Sequence, residues 1–178
     1  DYASALSTAA MLSDFGYEVV LSASRQEAID VAHYAYTRKT KRAFVHIFAG
    51  AYRACERSGL SPPASKAPDP CTYTGPSAPA TALVMPHGAM SHRARALLLS
   101  LPPHLRGKVG IVSVRRLGSW DAAVLRRAVP TRVQTLRVVE EAFSSTDGAL
   151  YADGLESERS GALRGVRAQS LVLAPGQA

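Results

Sequence analysis

The strongest constraint on the fold is the order of three segments near the start of the chain: a short apolar segment, a helical segment and a second short apolar segment. Residues 17–23 (YEVVLSA) predict a strand, and Ser24 and Glu27 have the spacing of a capping box that opens a helix. Residues 43–48 (AFVHIF) are short and continuously apolar, as in a buried parallel strand. A unit of this kind requires a right-handed crossover and predicts an α/β fold.

The same alternation returns in the second half of the chain. Residues 81–85 (TALVM) and 109–114 (VGIVSV) predict strands on either side of a helix from about Ser91 to Leu101, which Pro102 and Pro103 end. Further elements are then predicted: a short helix from Trp120 through about Val129, a strand over 132–140, a helical stretch over 149–158 and a last strand over 170–174. We therefore predict an α/β protein of two three-layer units with mostly parallel sheets.

The segment between these two patterns has a different composition. Residues 59–80 (GLSPPASKAPDPCTYTGPSAPA) concentrate proline, glycine, serine and alanine, which disfavour a regular helix or a central strand. We expect an exposed linker there, with one α/β unit over 1–58 and a second over 81–178.

Charge and cysteine content narrow the function classes. The net charge is +7, and residues 81–178 carry 13 Lys and Arg against 7 Asp and Glu. These cations are dispersed and lack interleaved aromatic residues, so nucleic acid is not the expected partner. No apolar run is long enough to predict a membrane span. Cys55 and Cys71 match no CxxC spacing, so we expect free thiols in a cytoplasmic protein.

Candidate contact residues lie where two predicted strands end, the edge at which open α/β sheets place ligands. After the first of these strands come His87, Gly88 and Ser91, in a turn that lacks the full G-x-G-x-x-G pattern. Arg115 and Arg116 follow the second strand. We identify these five residues as candidates for ligand binding or interdomain contact, although a plain βα turn and solvated or salt-bridged arginines are the simpler interpretation.

Other reactive side chains receive structural interpretations. Glu27 stands at the third position of its helix, where a carboxylate ordinarily satisfies a backbone donor. His87 and His92 are five residues apart, which is not the i, i+4 pair or the Cys/His cluster that zinc normally uses, and no acidic third ligand lies nearby in the sequence, so no metal site is expected. No role is assigned to His33 or His46, and the single tryptophan is expected to pack between helix and sheet. No catalytic residue is identified.

The stretch VVLSASRQEAIDVAHYAYTRKTKRAFVHIFAG resembles the end of the N-terminal domain of pyruvate:ferredoxin oxidoreductases, with Gln26-Glu27-Ala28 as its most specific part. Four later segments resemble, in the same order, the second domain of that family: ALVMPHGAM, VGIVSVRRLGSWD, LRRAVPTRVQTLRVVEE and GALYAD. The resemblance implies a transketolase C-terminal-like, Rossmann-like fold for residues 81–178.

Departures from the family pattern point to one branch of it. Ala49 stands where the family has an aspartate, and Ser119 stands where it has a proline. The pattern is closest to the N-terminal region of fungal assimilatory NADPH–sulfite reductase flavoproteins. That resemblance implies a non-catalytic scaffold within a larger oxidoreductase, in contact with the remaining domains or subunits of an oligomer, with FAD, FMN and NADPH bound elsewhere in the enzyme.

Two alternatives remain open. The chain could be a working part of a thiamine diphosphate-dependent 2-oxoacid:ferredoxin oxidoreductase, with residues 81–174 completing a cofactor or coenzyme A cleft. It could also be a stand-alone small-molecule binding module that uses the turn over residues 86–91, which would require a preformed pocket at the sheet edge.

Overall fold

The structure is a computed structural model that describes residues 2–40, 42–48, 59–64, 66–117, 122–141, 150, 161 and 165–173. Its helices are α1 (Tyr2–Asp14), α2 (Arg25–Thr37), α3 (Ala89–Ser100), α4 (Pro103–Arg106) and α5 (Ala122–Ala128). Its strands are β1 (Glu18–Ser22), β2 (Phe44–Phe48), β3 (Cys71–Thr74), β4 (Thr81–Pro86), β5 (Val109–Val114), β6 (Arg116–Leu117), β7 (Thr135–Glu141) and β8 (Arg167–Leu173).

The strands form two sheets. The smaller sheet has the order β2-β1-β6, in which β1 and β2 are parallel and β6 is antiparallel to β1. The larger sheet has the order β3-β5-β4-β7-β8, and every neighbouring pair in it is parallel except β3 with β5. The predicted α/β class with mostly parallel strands is thus confirmed for the larger sheet.

The strand order places the ends of β4 and β5 together. From β4 the chain crosses to β5 on one side, and it later returns to β7 on the other side of β4. Pro86, which ends β4, pairs with Val114, which ends β5. Since the two strands are parallel, the residues that follow them, His87 and Arg115, emerge side by side at the carboxyl edge of the sheet.

One apolar core contains residues from both predicted units. Val19 and Leu21 of β1 pack in the same buried cluster as Val112 and Val114 of β5, together with Leu6 of α1. The connection is also covalent and direct, because the chain leaves β5 and enters the smaller sheet as β6 within two residues. The backbone of Arg115 joins the sheets further, since its carbonyl accepts from Leu21 and its N–H donates to the Pro70 carbonyl.

The segment predicted as an exposed linker differs from that expectation at β3. Cys71–Thr74 pairs antiparallel with β5 at the edge of the larger sheet. The proline-rich residues around it are compatible with this position, because an edge strand needs hydrogen bonds on one side only. Helix α1 and the two-residue β6 were also not predicted from the sequence, whereas the predicted helical stretch over 149–158 falls almost wholly outside the described residues.

Candidate functional site

Glu27 lies at the start of α2 and is directed back over the carboxyl edge of the larger sheet. Ser24 caps this helix, and its Oγ accepts the Glu27 N–H at 3.2 Å. The Glu27 carboxylate in turn accepts the backbone N–H of Ala23 at 2.8 Å. The local sequence therefore fixes the helix start and holds the carboxylate near its own backbone.

The same carboxylate joins two residues of the larger sheet. His87 Nε2 lies 2.8 Å from Glu27 Oε2, and Arg115 Nη2 donates to Oε1 at 2.6 Å. Because an ionised carboxylate only accepts hydrogen bonds, the Nε2 of His87 carries the proton in this contact. The side chain of His87 is 2% exposed and that of Arg115 is 17% exposed, so the contact is largely shielded from water.

These contacts set the protonation state of Glu27. Burial raises its pKa, but the hydrogen bond with His87, the Ala23 N–H and the charges of His87 and Arg115 together outweigh burial and lower the pKa to about 2. A general base works best when its pKa is close to the operating pH. Glu27 is therefore a weak proton acceptor and a strong electrostatic partner.

Arg116 makes a parallel connection to a second carboxylate. Its Nη2 donates to Glu18 Oε1 at 2.7 Å, and Arg38 of the smaller-sheet layer binds the other oxygen, Oε2. Tyr34 Oη also donates to Oε1 at 3.1 Å. The Glu18 side chain is 4% exposed, and its three partners provide the charge and the donors that a buried carboxylate requires.

The turn between β4 and α3 is stabilised by its own residues. The Gly88 N–H donates to Ser91 Oγ at 3.0 Å, and the His87 N–H donates to the Val114 carbonyl at 2.8 Å. Gly88 has a φ of 157°, near the limit of the region that favours glycine. A phosphate at this turn would need these N–H groups, and two of them are already used, so the turn does not fit a phosphate-binding loop.

Two more basic side chains, His92 and Arg95, lie near the Glu27 contact. The ring of His92 meets that of His87 edge to face, with 5.6 Å between the centroids. Burial lowers the pKa of His92, as does the nearby charge of His87. Arg95 lies one helical turn further along α3, with its Nη2 on the hydroxyls of Ser113 and Thr72 at 3.0 and 3.3 Å.

In the smaller sheet, Ser22 Oγ lies 2.7 Å from His46 Nε2. Burial lowers the pKa of His46, which favours its neutral form. A serine–histidine pair of this geometry suits nucleophilic catalysis only if a substrate can reach the hydroxyl. Ser22 has an exposed fraction of 0%, so a substrate cannot reach its hydroxyl. The pair is therefore a buried polar contact between β1 and β2.

The five sequence candidates thus fall into two groups. His87, Arg115 and Arg116 contact acidic residues of the first 58 positions, whereas Gly88 and Ser91 bond to each other within their turn. Sequence reasoning missed Glu18 as a partner, and it gave Glu27 a cap role only. No local signal could have shown these contacts, because 60 to 98 residues separate the partners along the chain.

One cysteine, Cys71, lies among the described residues. Cys71 is a free thiol, and burial raises its pKa to about 12, so it is a poor nucleophile. Among the described residues, no group of three or more His, Cys, Asp or Glu could hold a metal ion. Within those same residues, no helix is long and apolar enough to cross a membrane. Trp120, Cys55 and Ala49 lie outside them.

No protein-family model matches the chain, and no curated protein matches it.

Proposed function

We propose that this chain is a non-catalytic scaffold and interaction region of a multidomain NADPH–sulfite reductase flavoprotein of sulfate assimilation. In this proposal the protein is cytoplasmic, and residues 81–178 have the transketolase C-terminal-like arrangement. FAD, FMN and NADPH bind to other parts of the enzyme, and the chain contacts the remaining domains or subunits of an oligomer. The proposal rests on the resemblance of the sequence to that family.

The state of Glu27 is the structural observation that supports a scaffold most directly. Glu27 is the carboxylate of the Gln26-Glu27-Ala28 motif, and hydrogen bonds with Ala23, His87 and Arg115 engage both of its oxygens. A carboxylate that activates a cofactor must be free to touch it and to exchange a proton with it. Here both oxygens hold the two predicted units together, and the low pKa keeps them ionised.

The test uses the full-length natural protein that contains this chain, in wild-type form and with Glu27→Gln. We expect flavin absorption bands that NADPH bleaches, at rates that agree within about twofold between the two proteins. Sulfite-dependent NADPH oxidation, which needs the assembled enzyme, should fall in Glu27→Gln in proportion to the loss of oligomer seen by sedimentation. Lys39→Gln, which removes one exposed charge from the same region, should change neither rate.

The competing thiamine diphosphate function predicts a different result. It predicts iron–sulfur absorption, tight binding of thiamine diphosphate with Mg²⁺, and pyruvate-dependent reduction of ferredoxin that Glu27→Gln abolishes. That set of results would overturn the scaffold proposal. Flavin reduction by NADPH that disappears in Glu27→Gln while the oligomer stays intact would also overturn it, because Glu27 would then act in the chemistry.

A further inference from the structure

A cleft of about 510 Å³ lies between the outer side of α3 and the turn that follows β3. Its walls are mostly apolar, and two arginines interrupt them; the residues that matter here are Pro76, Arg95, Leu98, Leu99, Pro103 and Arg106. The volume falls within the range of roughly 300–1,000 Å³ that is usual for small-molecule sites. Leu99 remains 69% exposed, so an apolar ligand in the cleft would cover surface that now meets water.

Arg95 is the polar group that gives this cleft a preference for anionic ligands. Its Nη2 donates only to the neutral hydroxyls of Ser113 and Thr72, and its Nε is buried without a partner among the described residues. Burial lowers the pKa of Arg95, the more distant carboxylate of Glu27 raises it, and Arg115 lowers it again. No carboxylate of the described chain comes within ion-pair distance of this half-buried cation, so an anion from outside would gain a strong, charge-assisted contact.

The surrounding sequence has the same charge bias. Between Asp69 and Asp121 the chain contains no Asp or Glu, although it contains six Lys and Arg. Two of the six, Arg115 and Arg116, pair with Glu27 and Glu18. Arg106, on the far wall of the cleft, bonds through Nε and Nη2 to the carbonyl of Leu101, a neutral acceptor. The two charged residues that line the cleft are thus both arginines, Arg95 and Arg106, which favours an anionic ligand.

We propose that this cleft binds a small organic monocarboxylate with an aliphatic body, whose carboxylate meets Arg95 and whose chain lies against Leu98, Leu99 and Pro103. An amphipathic ligand satisfies both features of the cleft, because its chain replaces water on the apolar walls and its head supplies the missing charge. A guanidinium matches a carboxylate in geometry as well, since two N–H groups can donate to its two oxygens. The inference does not depend on the proposed function.

The direct test is titration of the full chain with octanoate, followed by NMR of the backbone amides. We expect saturable shifts at Gly75, Leu99 and Gly107, which line the cleft. The neutral analogue 1-octanol should bind at least tenfold more weakly, and octylamine should bind more weakly still. This order isolates the contribution of the negative charge, because the three probes share one aliphatic chain.

Variants then assign the charge preference to Arg95. Arg95→Gln should weaken octanoate at least tenfold and leave 1-octanol within about twofold, so that the two probes bind alike. Arg127→Gln, an exposed residue of α5, removes the same charge away from the cleft and should change nothing. Leu99→Glu places a carboxylate one helical turn from Arg95 and should abolish octanoate binding, whereas Leu99→Gln should retain most of it.

Three results would overturn the inference. The first is equal affinity for octanoate and 1-octanol in the wild-type chain, which would mean that the cleft takes aliphatic chains without regard to charge. The second is octanoate binding that Arg95→Gln and Leu99→Glu leave unchanged. The third is an absence of saturable shifts at the cleft residues in a chain whose circular dichroism shows it to be folded.

Discussion

Gly110 illustrates how one residue position on β5 depends on a neighbouring side chain. The ring of Tyr73 lies over it, and a Cβ at position 110 would stand 2.2 Å from Tyr73 Oη. That hydroxyl donates to the Pro76 carbonyl at 2.6 Å, which holds the ring in place and fixes the turn after β3. The edge strand β3 is therefore attached to β5 by a contact that only glycine permits.

We predict that Gly110→Ala lowers the free energy of unfolding by about 1–3 kcal/mol, because the added methyl group forces Tyr73 and its hydrogen bond to move. Gly107→Ala is the matched control, since its Cβ would meet nothing closer than the Pro103 carbonyl at 3.7 Å and its φ is −68°. That control should be neutral or stabilise by up to about 1 kcal/mol. Urea unfolding measures both, and equal effects would contradict the proposed contact.

The ion pair of Glu27 predicts a dependence of stability on pH. The pKa of Glu27 falls from 4.5 to about 2 on folding, so the folded state is favoured above pH 4.5 and loses this contribution as the pH falls towards 2. Because the side chain is partly exposed, we expect about 1–2 kcal/mol. Urea unfolding at pH 6, 4 and 3 measures this dependence. As the pH falls, the free energy of unfolding should decrease less in Glu27→Gln than in wild type. Asp69→Asn, at a largely exposed carboxylate, should leave the change of the free energy of unfolding with pH as it is in wild type.

At the scale of single residues, the sequence predicts the roles that a residue has within its own helix or strand, but it does not predict partners that are distant along the chain. Ser24 caps α2 as its spacing with Glu27 predicts, since both residues belong to one helical turn. The contacts of Glu27 with His87 and Arg115 depend on how two sheets meet, and that information is spread over the whole chain. The same limit applies to Arg95, because only the folded neighbourhood shows that no described carboxylate lies within ion-pair distance of it.

At the scale of the elements, periodic apolar segments were the most reliable guide. The strands β1, β2, β4 and β5 and the helices α2 and α3 match predicted segments, because continuous β-branched runs and capped helical runs differ clearly in period. β3 was missed because its residues lie in a proline-rich segment. β6 was missed because two residues carry no periodicity, and their pairing with β1 depends on the fold.

The segment that follows β5 supplies the element-scale prediction. Arg115 and Arg116 are adjacent, yet they contact Glu27 and Glu18, whose side chains are 24% and 4% exposed. A carboxylate that loses a partner is penalised more when it is buried. We predict that Arg116→Met lowers the free energy of unfolding by about 3 kcal/mol and Arg115→Met by about 1–2 kcal/mol.

A double-mutant cycle tests whether this ranking arises from the buried carboxylate. In a Glu18→Gln background, Arg116→Met should cost at least 1 kcal/mol less than it does in wild type, on the order expected for a coupled buried pair. Arg115→Met should cost the same in both backgrounds, because it pairs with Glu27. Equal costs of Arg116→Met in the two backgrounds would show that Arg116 acts through packing of its aliphatic stem.

At the scale of the whole molecule, the two predicted units share their interior. Val19 and Leu21 from the smaller sheet and Val112 and Val114 from the larger sheet belong to one buried cluster, and β6 pairs with β1 directly after β5 ends. The buried carboxylate of Glu18 adds an ion pair across the same boundary. Separation of the units would expose this cluster to water and would leave a buried charge without Arg116.

We therefore predict that the chain unfolds in one cooperative transition, although its sequence alternates as if it held two units. Urea curves from far-ultraviolet circular dichroism should coincide with loss of amide-exchange protection in both β1 and β4. The variant Val19→Ala tests this cooperativity. It should lower the urea concentration at which half of the protection is lost by the same amount for β4 amides as for β1 amides, even though Val19 lies in the smaller sheet. Protection in β1 that is lost at lower urea than in β4, with Val19→Ala affecting β1 alone, would show that the smaller sheet opens independently and that the boundary near residues 59–80 separates two folding units.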